Sequence, residues 1–145
     1  MKKLISTLCL AFFLITGLQL SSCAGGSDSN SPVAQYVELL EKATKQIEGI
    51  SNLEELKDVQ RGVESQQATT LLLESKDYVL TDSDKEKLKK ATDKMLKAVF
   101  DKSIELSGLE EDMKKTMKDQ SELAIEAVNK NIDKATTLGQ INGLM

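Results

Sequence analysis

Asp82, Asp84, Glu86 and Asp93 stand at positions one, three, five and twelve of a calcium-loop register. Oxygen ligands at that spacing can wrap a calcium ion. The register fails at its turn, because the position that needs glycine is Lys87, and Lys85, Lys89 and Lys90 interleave with the acids. Thr81 to Asp84 reads instead as a helix start in which hydroxyl and carboxylate satisfy each other's backbone donors. The 145 residues include no histidine, which removes the Ser-His-Asp triad, the Cys-His pair and any His-ligated metal. Carboxylate pairs and Ser-Lys neighbours recur on every turn, yet no glycine-rich phosphate loop or strained nucleophile turn accompanies them. No catalytic, cofactor-binding or metal-binding residue is nominated, and the expectation is a protein that is not an enzyme.

Three other groups of side chains invite a binding role. Lys85, Lys87, Lys89, Lys90, Lys94, Lys97 and Lys102 crowd one helix-forming segment, as a polyanion stripe would. With Asp84, Glu86, Asp93 and Asp101 interspersed and only Phe100 aromatic, they read as a solvated face of near-neighbour ion pairs. Gln66, Gln67, Thr69 and Thr70 interrupt an apolar stripe and read as partly exposed rather than as a polar cavity. Phe100 and Ile104 widen one flank of the lysine-rich helix, where the first helix is expected to cover them. An aromatic fraction of 3% argues against a base-stacking or sugar-stacking platform.

The elements that must carry these residues are helical. Ser31 before Pro32 has the pattern of a capped first turn. Val33, Tyr36, Leu40, Ala43, Ile47 and Ile50 then follow at helical spacing until Gly49 closes the segment. Ser51-Asn52-Leu53-Glu54 has the capping-box pattern, opening a second helix whose face is Leu56, Val59, Val63, Gln66, Thr70 and Leu73. A third helix from Thr81 to Ser107 carries Leu88, Ala91, Met95, Val99 and Leu106 inward. A fourth, from near Leu109, carries Met113, Met117, Ala124, Val128, Ile132 and Ala135 until Gly139 stops it. No segment alternates as a strand would. Short connections favour antiparallel neighbours, so the fold expected is all-α, an up-and-down antiparallel helical bundle of three to four helices over residues 32–145.

The N-terminal segment is of another kind. Met1-Lys2-Lys3 is basic, and residues 4–20 are apolar but too short for a spanning helix, which reads as a signal peptide over 1–22. Leu20-Ser21-Ser22-Cys23 resembles the lipobox of bacterial lipoproteins. The resemblance covers residues 1–23. It implies recognition of Leu20, Ser21 and Ser22 by a type II signal peptidase, diacylglycerol on the Cys23 sulfur, and acylation (palmitate among the chains) of the new amino group. Ala24 lacks the aspartate of an inner-membrane retention signal, so by the same resemblance the destination is the outer membrane, with the membrane face undetermined. The chain differs from Braun-type murein lipoproteins, which are one unbroken helix ending in lysine. It looks more like the small helical lipoproteins of Gram-negative envelopes.

Processing then alters the composition. Cys9 leaves with the peptide and Cys23 is acylated, so no thiol or disulfide remains. Loss of Lys2 and Lys3 leaves 17 basic against 23 acidic side chains, a net of −6, which disfavours nucleic acid as a partner. Residues 23–31 make a small, polar tether. Its eight residues beyond Cys23 reach at most about 29 Å. The expected role is a lipid-anchored, non-enzymatic protein-interaction or structural module, partnered by the membrane through its acyl chains and by an envelope protein. The other role considered is a binding module for a small apolar or lipid-like ligand between helices, lined by Met95, Val99, Met117 and Ala124.

Overall fold

Ser31 opens the first helix as the spacing predicts: its hydroxyl accepts from the Ala34 amide at 3.1 Å, and Pro32 occupies the first turn. The computed structural model describes residues 31–144. The segment expected to be a signal peptide, the motif Leu20-Ser21-Ser22-Cys23 and the expected tether up to Asn30 lie outside the described residues. Helix α1 spans Pro32–Gly49, α2 Leu53–Arg61, α3 Val63–Glu74, α4 Asp82–Leu106, α5 Glu111–Lys134 and α6 Leu138–Leu144. The architecture is an all-α bundle. Among the described residues extended pairing is confined to one isolated bridge, Val79 with Thr137. No described helix is long and apolar enough to cross a membrane.

α1 sits at the centre, packed against α3 on one side and α4 on the other, and α5 packs on α4. Consecutive long helices alternate in direction. In the α4–α5 pair this is fixed by Asn129 donating to Asp93 at 2.8 Å and Lys89 meeting Asp133 at 2.9 Å. α1 and α4 therefore run parallel, with Glu48 near the end of α1 lying beside Lys97 and Lys102. The core centres on Val33, Tyr36, Leu40 and Ile47 of α1 against Leu88, Ala91, Met95 and Val99 of α4, joined by Leu56, Leu72 and Ile132 among others. Burial of this apolar face, at about 25 cal/mol per Å², is what stabilises helices whose solvent sides are mostly charged.

Several details depart from the sequence-based expectation, among them the inner face of the fourth helix, where Ser121 and Ile125 are buried and Met113 is exposed. The second helix is capped one residue later than Ser51: Asn52 accepts from the Glu54 and Glu55 amides at 3.0 and 3.1 Å. Glu55, rather than Glu54, reaches back to the Ser51 amide at 2.7 Å. Both frames exist in the sequence, and the later one satisfies three backbone donors. That helix is also two helices. Gly62 adopts φ −67°, ψ 171° between them, where a Cβ would stand 3.1 Å from the Val59 carbonyl oxygen. The break rotates α3 relative to α2. Leu56 faces the core, but Val63 and Leu73 are 63% and 60% exposed, and Leu72 takes the inward place.

Gly139, expected to stop the fourth helix, lies inside α6 instead. α5 ends at Lys134, and Ala135 donates back to Asn131 and Ile132. The chain then pairs with the segment before α4, Leu80 donating to Thr136 at 3.0 Å and Leu138 to Tyr78 at 2.9 Å. Leu138 and Ile141 of α6 enter the core, and α6 touches both α3 and α5. This last helix is the piece that joins the two outer helices.

Candidate functional site

The acids of the calcium register are dispersed by the fold. Asp84 is buried at the start of α4, where one carboxylate oxygen accepts from the Thr81 amide at 3.0 Å and the Thr81 hydroxyl at 2.8 Å. The Asp84 amide in turn donates to the Thr81 hydroxyl at 3.1 Å, so the capping box is complete. The Tyr78 hydroxyl also reaches Asp84, at 3.4 Å. Burial, and then the Asp84 carboxylate, hold the Tyr78 phenol above its ordinary value. Asp93 is occupied by Asn129 across the α4–α5 seam. No group of three or more metal-ligating side chains gathers among the described residues.

The lysines divide into two sets. Lys85 donates to the Asp133 carbonyl at 2.8 Å, and Lys89 lies between Glu86 and Asp133 at 2.7 and 2.9 Å. Hydrogen bonds to both carboxylates hold the Lys89 ammonium well above the usual lysine range. These two tie α4 to α5. Lys87, Lys90, Lys94 and Lys97 are exposed on the opposite flank. There a shallow depression of about 260 Å³ is lined by Glu48, Lys94, Lys97, Ala98, Asp101, Lys102 and Glu105. Three lysines face three acids, and Lys102 is already paired with Glu105 at 3.1 Å. Such a balanced surface exerts little net field on an anion.

The other candidates also separate. Phe100 and Ile104 are half-buried. They share the flank of α4 that carries Lys89 and Asp93, and the register of that seam sets them level with Glu122 and Lys118 of α5. A three-residue step along α4 places a side chain beside α1 or beside α5, and periodicity alone does not say which. Of the ligand-lining set, Met95 and Val99 belong to the core cluster while Met117 and Ala124 lie outside it. Gln66 and Gln67 are exposed, and Thr69 and Thr70 donate to carbonyls one turn back, at Ser65 and Gln66.

One surface is not anticipated by the sequence pattern. The break at Gly62 turns Val63, Gln66, Thr70 and Leu73 outward on α3, together with Gln67. Its signal was present: nine consecutive residues, Ser65 to Leu73, carry no charge in a chain that is 29% charged. On an amphipathic template that stretch reads as core; here its Gln66, Gln67 and Leu73 are exposed. Among known proteins, no family model, no curated protein and no solved structure matches this chain.

Proposed function

We propose that this protein is a lipid-anchored lipoprotein of the cell envelope, held at the outer membrane by acyl chains on Cys23, whose helical domain works by protein contact rather than by catalysis. The observation that carries the reading is the sequence Leu20-Ser21-Ser22-Cys23, placed directly behind a basic start and an apolar run. In this reading each buried methylene of the acyl chains contributes ~0.8 kcal/mol, so that two or three chains anchor far more firmly than one. The contact role draws on how charged side chains are spent: Asp84 on a helix cap, Lys85, Lys89 and Asp93 on the α4–α5 seam. Buried apolar side chains fill the interior.

The experiment is metabolic labelling with a fatty-acid analogue, comparing the natural chain with Cys23→Ala. The natural chain is expected to carry label and to sediment with membranes, and the variant to do neither. Equal labelling of the two overturns the anchor. In-cell cross-linking that recovers only the monomer, across several growth conditions, overturns the contact role.

A further inference from the structure

The outer face of α3 is built in a way that suits a copy of itself. Val63, Gln66, Thr70 and Leu73 recur at intervals of three, four and three, the spacing of a coiled-coil seam. Val63 and Leu73 are among the most exposed large apolar side chains of the described residues. The sequence of this seam is self-complementary when reversed. Laid antiparallel, Val63 of one copy meets Leu73 of the other at both ends, and Gln66 meets Thr70 twice in the middle.

From this placement we infer that α3 docks on α3 of a second copy of this chain, antiparallel, across a two-fold axis that passes level with Ala68. A two-fold contact uses the same patch on both copies, and the four positions of this seam carry no charged side chain, so two acidic molecules can approach along it. The ends of the seam agree in sign. Arg61, the one arginine of the chain, is the last residue of α2, two positions before α3 begins, and Glu74 is the last residue of α3. Neither forms an ion pair among the described residues. Antiparallel docking brings Arg61 of each copy to the end that carries Glu74 of the other. Parallel docking sets like charges together and Gln66 upon Gln66.

The size of the seam fixes its strength. A 12-residue helix is about 18 Å long, and one such contact buries less than the ~1,200 Å² of a stable complex. The pair is therefore transient in dilute solution and forms where copies are concentrated on one membrane, a point that rests on the anchor proposed above.

Cysteine cross-linking of the full chain in its envelope tests the geometry. Across the axis two copies of residue 67 are offset by about 3 Å along the helix, and two copies of residue 73 by about 15 Å. With a short thiol-specific cross-linker, Gln67→Cys is expected to give a dimer. Co-expressed Val63→Cys and Leu73→Cys chains are expected to link to each other. Leu73→Cys alone should give at least tenfold less dimer, as should the unsubstituted chain. Self-linking of Leu73→Cys as strong as that of Gln67→Cys overturns the antiparallel pair, and so does an adduct with a different protein in place of the dimer. A labelled, membrane-attached chain that never links at Gln67 overturns the docking and leaves the anchor. An unlabelled chain that links at Gln67 upholds the docking and overturns the anchor.

Discussion

Gly139 and Lys76 touch backbone to backbone: the Gly139 amide donates to the Lys76 carbonyl at 2.9 Å, and a Cβ on Gly139 would stand 2.7 Å from the Lys76 Cβ. The contact presses α6 against the turn after α3, and so draws the end of the chain onto its middle. Two of the three atoms that crowd position 139 are backbone, so a side chain cannot be accommodated by a rotamer change.

Gly139→Ala is accordingly expected to destabilise the domain by about 1–3 kcal/mol through overpacking, even though alanine is the better helix former by ~1 kcal/mol. Chemical denaturation of the two chains measures this. An alanine variant as stable as the natural chain means that α6 is not pressed onto Lys76.

The rotation at Gly62 yields a paired prediction. Leu72 is 4% exposed and Leu73 60%, so Leu72→Ala should cost about 2–5 kcal/mol while Leu73→Ala stays within about 0.5 kcal/mol. The uninterrupted helix read from the sequence puts Leu73 inward and requires the opposite order. Thermal unfolding of the two variants decides between them.

Ser103 on α4 is 2% exposed, and its hydroxyl has no hydrogen-bond partner among the described residues. A buried hydroxyl left unpaired costs on the order of 1–3 kcal/mol. Ser103→Ala removes the group and leaves little space behind. It is expected to raise the unfolding free energy by about 1 kcal/mol, and a clear loss of stability would show that the hydroxyl has a partner.

Tyr36 sets an alkaline limit. Its ring is buried in the core, and burial pushes its phenol up from the ordinary 10 to about 12. The folded state keeps the proton that the unfolded state releases near pH 10. Stability from this group is therefore complete below pH 10 and is lost progressively between about pH 10 and pH 12. Tyr36→Phe should flatten that part of the curve of unfolding free energy against pH. An unchanged slope in the variant assigns the alkaline loss to other groups, among them Tyr78 and Lys89, whose values are also raised.

Much of this fold is legible without coordinates because its signals are local. Helix starts at Ser31 and Thr81 are decided by a side chain and an amide three residues away, and the inner faces of α1 and α4 by a period of about 3.6 residues. Val33, Tyr36, Leu40 and Ile47, and Leu88, Ala91, Met95 and Val99, are all buried as their spacing predicts. The segment from Ser51 to Glu74 is where local signals compete. Two overlapping capping frames differ by one residue, and one glycine without an unusual φ is enough to swing the helix after it.

The helical class, the starts of α1 and α4 and their inner faces are all written in the order of residues. So are Leu20 to Cys23, on which the proposed anchor rests. These depend on contacts within a turn or on short motifs. That Val63 and Leu73 face solvent, and that Leu138 and Ile141 complete the core, is instead a matter of packing. Each is a choice between two faces that local periodicity leaves equivalent. It is settled by which distant helix arrives to bury the apolar side, since burial is rewarded only where a partner surface exists.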